Sequence, residues 1–102
     1  MSRKAIFMVR SVVSDEPLRE KFDRWYATEH LPDAIKAFGA DGASRAWSTT
    51  DPSAHYAFYE FATMEKLKAA VGSDALKGLI AEYDRVWPKG VTRTREILSV
   101  AE

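Results

Sequence analysis

The chain begins with an apolar run and continues with a helical pattern of apolar positions. Residues 4–13 include AIFMVRSVV, which is apolar and rich in β-branched residues, as is typical of a strand buried on at least one face. Ser14 and Pro17 then indicate a helix start, because serine caps helices and proline fits their first turn. The positions that follow at helical spacing predict one inward-facing stripe, formed by Leu18, Phe22, Tyr26 and His30.

A proline and a glycine divide the next stretch of chain. We expect Pro32 to interrupt the first helix, because proline lacks the backbone N–H that a helix interior needs. A second helical piece then covers residues 33–38 and ends at Gly39, since glycine readily takes the left-handed conformation of a helix C-cap. The pattern therefore predicts two helical pieces with a break between them.

The middle of the chain predicts a hairpin. Residues 43–49 (ASRAWST) and 55–62 (HYAFYEFA) have strand composition and flank a turn-forming TDPS sequence, so we expect them to pair in antiparallel fashion. His55 follows this turn directly and is expected to be exposed. Together with His30 it would make a weak metal site, because Asp51 is the only carboxylate at helical spacing from His55.

Two helices and a last strand complete the pattern. Thr63 is expected to cap one helix, and Ser73 or Asp74 to cap another that ends before Pro88. The final segment, VTRTREILSV, predicts a strand at residues 91–100. Along it, one face carries Thr92, Thr94 and Glu96, and the other carries Arg93, Arg95 and Ile97.

The order β, α, β, β, α, β predicts a ferredoxin-like α+β sandwich, a four-stranded antiparallel sheet with its helices on one face, in one domain over residues 1–102. The strands carry large apolar residues of both parities, such as Phe7 beside Met8 and Phe58 beside Tyr59. Such strands favour burial on both faces. We therefore expect a homodimer whose sheets pack back to back, a dimeric α+β barrel.

Composition narrows the possible function classes. The 102 residues include 15 Lys+Arg and 15 Asp+Glu, so no basic surface for nucleic acid is expected. The absence of cysteine excludes disulfides, thiolate nucleophiles and sulfur-ligated zinc. Arg10 interrupts the N-terminal apolar run after five residues, which is too short for a membrane span or a signal peptide. We therefore expect a cytoplasmic protein without membrane contact. Motifs for nucleotide binding and serine hydrolysis are also missing.

The most informative stretch is FDRWYATEHLPDAIKAFG, residues 22–39. It resembles the motif of the EthD-like families within the dimeric α+β barrel superfamily, where an aromatic helix ends in a histidine followed closely by proline. The segment YAFYEFATMEKLKAA, residues 56–70, is similar to the strand and helix that come next in those proteins. The resemblance implies the dimeric barrel fold and a superfamily that includes cofactor-free monooxygenases, isomerases, cyclases and haem-handling enzymes.

His30 is the main candidate for chemistry. A helix C-terminus favours the imidazolium ion and apolar burial favours the neutral ring, so the sequence leaves the protonation state open. The neutral ring could act as a general base, and the charged ring could stabilise an enolate or phenolate. The alternative is a structural histidine that bonds a backbone carbonyl at the Pro32 break. Tyr26, one turn earlier, is the second catalytic candidate, because its hydroxyl could orient the same ligand.

Other residues are predicted to line a ligand pocket between the first helix and the sheet. Aromatic walls bind by area and stacking, and the predicted wall residues are Phe22, Trp25, Trp47 and Tyr56. Cross-strand packing would explain the last two equally well. Arg10 lies inside an apolar strand and needs an anion, which could be Glu60, Glu96 or a ligand carboxylate.

These observations favour a small enzyme of EthD-like type that needs no cofactor and acts on a hydrophobic or aromatic small molecule, with His30 as acid or base. The reaction class could be degradation, oxygenation, isomerisation or cyclisation. One alternative is a dimeric protein that binds a small molecule, or serves as an accessory protein, without catalysis. Another is a haem-binding protein with His30 as axial ligand.

Overall fold

The computed structural model describes residues 4–101, so the predicted domain limits at residues 1 and 102 lie outside the described part. The sheet has four antiparallel strands in the order β2-β3-β1-β4. The strands are β1 (Ala5–Val13), β2 (Gly42–Trp47), β3 (Ala54–Phe61) and β4 (Val91–Ser99). The predicted hairpin and the ferredoxin-like α+β class are confirmed.

The pairing register decides which side chains face the helices. Phe7 lies opposite Tyr59 on β3 and opposite Ile97 on β4. Because successive strand residues alternate between faces, the odd-numbered positions of all four strands share the face that the helices cover. Arg93 and Arg95 of β4 therefore lie on the helix face, opposite Ser11 and Val9.

Four α-helices cover that face of the sheet. They are α1 (Arg19–Trp25), α2 (Leu31–Phe38), α3 (Met64–Val71) and α4 (Asp74–Val86), and a 3-10 turn, Glu16–Leu18, precedes α1. The predicted Thr63 cap is confirmed, because its side chain accepts a hydrogen bond from the backbone N–H of Lys66. Ser73 occupies the N-cap position of α4 without a side-chain bond to the helix.

The predicted break at Pro32 is wrong. A single π-helical turn, Tyr26–His30, connects α1 directly to α2, and the backbone N–H of Leu31 donates to the carbonyl of Tyr26. Pro32 thereby lies at the second position of α2, the helix that follows the π turn directly. The helical chain continues to Gly39, whose φ of 65° confirms the predicted left-handed C-cap.

The core between helices and sheet is mainly aromatic. Phe22 is fully buried at its centre, and its ring lies 5.2–6.2 Å from six other rings. These rings belong to Trp25, Tyr26, Trp47, His55, Tyr83 and Trp87. Aromatic pairs at this spacing add to the stabilisation from burial alone. The cluster fixes α1 on the sheet and thereby fixes the π turn that follows it.

Candidate active site

The π turn carries His30 into the space between the helices and the sheet. Its ring is buried and stacks on Trp25, with 4.6 Å between centroids and 20° between planes. Tyr26 and Tyr83 pack against it at steep angles, at 4.9 and 5.7 Å. Isolated π turns are rare and occur often at functional sites. Three aromatic rings thus hold one imidazole in a fixed orientation.

Burial also settles the protonation state that the sequence left open. It lowers the pKa of His30 to about 4, and the positive charge of Arg93 acts in the same direction. The carboxylates of Asp33 and Glu82 oppose the shift. The ring is therefore neutral at pH 7. Among residues 4–101, the buried Nδ1 atom has no hydrogen-bond partner.

His30 lines a narrow space that we call the inner cavity. Its walls come from the sheet on one side and from α2 and α4 on the other. The lining residues are Phe7, Val9, His30, Ala34, Phe38, Tyr59, Leu76, Leu79, Ile80, Tyr83, Arg93 and Arg95. The volume, about 20 Å³, is enough for one water molecule and too small for an aromatic ring.

A wider depression, which we call the outer groove, adjoins the inner cavity. It measures about 400 Å³ and is lined by Phe7, Val71, Leu76, Arg95, Glu96 and Ile97. Phe7, Leu76 and Arg95 belong to both linings. The groove has the volume of a small-molecule site. Together the two spaces form a path toward His30 whose lining is mostly apolar but includes Arg93, Arg95 and Glu96.

Two tyrosines line the inner cavity. Burial raises the pKa values of Tyr59 and Tyr83 to about 12, so both phenols are neutral and can donate a hydrogen bond. Tyr83 donates to Ser11 Oγ at 2.8 Å. The Tyr59 hydroxyl lies near that of Tyr26 and interacts with it, although within the described residues neither makes a hydrogen bond of good geometry. Arg93 covers the Tyr83 ring at 4.0 Å and is paired with Asp84 at 2.8 Å.

The second histidine, His55, was expected to be exposed. It is instead completely buried. The register places His55 on the helix face of β3, 4.5 Å from the Tyr26 ring. Arg45 Nη1 lies 3.1 Å from His55 Nε2 and 2.9 Å from Asp23 Oδ1. Because arginine only donates, Nε2 must accept and Nδ1 must carry the proton. Burial and Arg45 lower the pKa of His55 to about 4.

The structure brings some of the predicted site residues together behind His30. Trp25 stacks directly on its ring, and Phe22 packs against Trp25. Tyr26 touches His30 edge-on and is fully buried, and burial raises its pKa well above the ordinary value. Trp47 donates to Asp23 Oδ1 at 2.8 Å. None of these four lines the inner cavity, so they form its support rather than its wall.

Tyr56 and Arg10 lie on the opposite face of the sheet from His30. The register makes them neighbours, and Arg10 Nε donates to the Tyr56 hydroxyl at 3.1 Å. The carboxylate partner of Arg10 is Asp51, at 3.6 Å, rather than Glu60 or Glu96. The turn before β3 brings Asp51 over this face, which a strand pattern cannot predict. Their predicted role in the same pocket as His30 does not agree with this placement.

The space around His30 also bears on the haem hypothesis. Trp25 covers one face of the imidazole, and the inner cavity has room for about one water molecule. An axial ligand needs a porphyrin-sized space beside its nitrogen, so haem does not fit this arrangement. Within residues 4–101, no three His, Asp or Glu side chains are grouped as metal ligands.

The helices of residues 4–101 are all too short or too polar to span a lipid bilayer. The cytoplasmic location stays a prediction.

Fold and site together define a small ferredoxin-like α+β protein with a buried, neutral histidine beside an apolar groove. No protein-family model matches the sequence, and no curated protein matches it. Solved structures with the same fold do match. One is a mutant of SnoaB, a cofactor-independent oxygenase from Streptomyces nogalater, with TM-score 0.71 and 12% identity over 99% of this chain and 96% of that one.

Two further structures agree with this fold assignment. An EthD family protein from Bacillus halodurans has TM-score 0.63 and 16% identity over 89% of this chain and 96% of that one. A proposed antibiotic biosynthesis monooxygenase from Nitrosomonas europaea has TM-score 0.66 and 15% identity over 98% of this chain and 92% of that one. The similarity to the EthD group that the residue 22–39 motif indicated is thus found again in three dimensions.

Proposed function

We propose that the protein is a small enzyme that removes a proton from a hydrophobic or aromatic small molecule without a cofactor, with His30 as the base. The observation that carries the proposal is the neutral, buried imidazole on the wall of a cavity that adjoins an open apolar groove. The fold likeness to a cofactor-independent oxygenase supports the same class of chemistry.

Proton removal is the step shared by the reaction classes considered for this chain. The substrate would lose a proton from an activated C–H or a phenol, and His30 would become an imidazolium. The neutral hydroxyl of Tyr59 would donate a hydrogen bond to the oxygen that gains negative charge. We retain Tyr26 as a positioning residue, because its ring packs against His30 without reaching the inner cavity.

A substrate would first occupy the outer groove, since the inner cavity is too small for an aromatic ring. Leu76, Leu79 and Ile80 of α4 are only half-buried and form the cavity wall toward the helix side. Rotation of these side chains would widen the cavity, because partial exposure leaves them room to change rotamer. Substrate binding and widening of the inner cavity would then occur together.

The variant H30Q tests the base directly. With 2-tetralone as probe, a ketone fused to an aromatic ring, the wild-type chain should accelerate exchange of the acidic C–H for deuterium in D₂O, followed by NMR. H30Q should lose about 100-fold or more of this acceleration, because positioned bases contribute about 10²- to 10⁴-fold. Glutamine is close to histidine in size, so the stack on Trp25 is the main packing contact that the substitution should disturb.

The matched control is H55Q, the same substitution at a buried neutral histidine that does not line the inner cavity. It should keep the exchange rate of the wild-type chain. If both variants exchange equally, or if the wild-type rate equals that in buffer, His30 is not the base. Binding of the probe without exchange would favour the alternative, a non-catalytic binding protein.

We further propose that two copies pack through their open sheet faces. The even-numbered positions of β3, β1 and β4 present an apolar row that Arg10 interrupts, and its members are Ile6, Met8, Val12, Phe58 and Leu98. The helices occupy the other face, so the members of the row other than the buried Met8 are only half-buried within residues 4–101. A second copy presents the same row, which suits the self-complementary contact of a two-fold dimer.

The dimer should appear as twice the chain mass in light scattering at micromolar concentration. F58E should shift the mass to that of one chain, because a charge in the middle of an apolar interface loses its hydration. A81E places the same charge on the exposed side of α4 and should leave the dimer intact. A monomeric wild-type chain would contradict the proposal.

A further inference from the structure

Arg95 lies at the junction of the two spaces. The β1–β4 register pairs it with Val9 and directs it to the helix face of the sheet. Its side chain lines both the inner cavity and the outer groove, together with Phe7 and Leu76. Most of the surrounding wall is apolar. Arg95 is exposed overall, and its positive charge lies where the two spaces meet.

Arg95 also differs from the other arginines of residues 4–101. The other six each donate a side-chain hydrogen bond, to a carboxylate, a carbonyl or a phenol. Within the same described range, Arg95 has neither a hydrogen bond from its side chain nor a carboxylate within 4.0 Å. Asp84, the acid that acts on it most strongly, is already paired with Arg93.

The surroundings of Arg95 favour an anion. Partial burial removes water from its guanidinium, and the neighbouring charge of Arg93 repels it; both effects lower the pKa of Arg95, although an arginine stays protonated. A carboxylate would replace the lost hydration and could accept two parallel N–H bonds from the planar group. Glu96, the next residue and part of the groove lining, would disfavour a second negative charge on the ligand.

We propose that Arg95 binds the carboxylate of an acidic hydrophobic ligand, whose apolar body lies along Val71, Leu76 and Ile97 in the outer groove. This inference rests on the proposed function, since it concerns the same path to His30. It narrows the ligand from any hydrophobic molecule to one with a single carboxylate next to an apolar or aromatic body. Arg95 is thereby a specificity-determining residue.

The test compares two probes of nearly equal shape, 2-naphthoate and uncharged 2-naphthamide, by NMR titration of the ¹⁵N-labelled full chain. Wild-type protein should bind the carboxylate about tenfold or more tightly, because hydrogen bonds to charged groups are about twice as strong as neutral ones. The Arg95 Nε–H resonance should shift with naphthoate alone. R95Q should lose the preference while its affinity for the amide stays unchanged.

Two further variants isolate the cause. R95K keeps the charge without the planar fork and should keep part of the preference. R85Q removes one positive charge from the exposed side of α4, where Arg85 pairs with Glu82, and should bind both probes like the wild-type chain. Loss of the preference in R85Q would mean that net charge, rather than Arg95, selects the acid.

The outcomes separate this inference from the proposed function. Equal binding of both probes to the wild-type chain, or an unchanged preference in R95Q, would overturn the role of Arg95 and leave the pocket in place. Failure of both probes to bind at millimolar concentration would overturn the pocket, and the role of Arg95 with it. A carboxylate preference that persists in H30Q but vanishes in R95Q would support Arg95 even if His30 proved not to be the base.

Discussion

Replacing Phe22 with alanine should lower the free energy of unfolding by about 3–5 kcal/mol, the usual cost of removing a buried aromatic ring. The residue is fully buried, and the surrounding rings cannot collapse into the space easily, because each is held by other contacts. Trp47 is held by Asp23 and Tyr83 by Ser11. Chemical denaturation followed by tryptophan fluorescence would measure the loss.

Two control variants make this measurement specific. F22L keeps much of the volume and should cost less than about half as much as F22A. I97A removes apolar atoms from a side chain that is 46% exposed and should change the stability by no more than about 1 kcal/mol. If F22A cost no more than I97A, the aromatic cluster would not be the centre of the core in solution.

Much of the fold could be predicted because its signals are local. The strand composition of residues 55–62 and the turn before it indicate a hairpin, and Thr63 and Gly39 mark helix ends through their own backbone chemistry. The connection at Pro32 could not be predicted in this way. Whether a proline ends a helix depends on the hydrogen-bond register before it, and the π turn moves Pro32 into a first-turn position.

The candidate site could be predicted only in part from the sequence. His30 could be found because it continues the stripe of Phe22 and Tyr26 at four-residue spacing, and the structure buries all three. Arg93 and Arg95 were missed as site residues because β4 carries polar residues on both of its faces, so its pattern does not show which side meets the helices. Only the register with β1 decides this, and it depends on contacts distant in the sequence.

Burial of His55 was missed for a related reason. A histidine next to a turn is usually solvated, but the odd register turns this ring toward Phe22 and Tyr26. Arg45, which is paired with Asp23, then donates to Nε2 of the buried imidazole, while Nδ1 has no partner within residues 4–101. The strand pattern of residues 43–49 contains Arg45 but gives no sign that it faces a histidine. Side-chain networks of this kind arise only when separate strands are aligned.

Acidification below pH 6.5 should destabilise the protein steeply, before any paired carboxylate titrates. His30 and His55 each have a pKa of about 4 when folded, against an ordinary value of 6.5. Between these values the unfolded chain binds protons that the folded chain does not, so stability falls as the pH falls. At about 1.4 kcal/mol per unit for each group, the loss approaches about 3 kcal/mol per histidine near pH 4. Denaturant unfolding at several pH values would measure it.

The pH range from 6.5 to 4 separates the effect of the two histidines on stability from that of the aspartates. The pKa values of Asp23, Asp41 and Asp51 are lowered, so their contribution is present above their ordinary value of 3.8 and is lost only as the pH falls below it. H30Q and H55Q should each remove about half of the pH dependence between 6.5 and 4, and the double variant nearly all of it. An unchanged slope in both single variants would show that the two imidazoles are hydrated, and with it the neutral, desolvated state on which the proposed base depends would be lost.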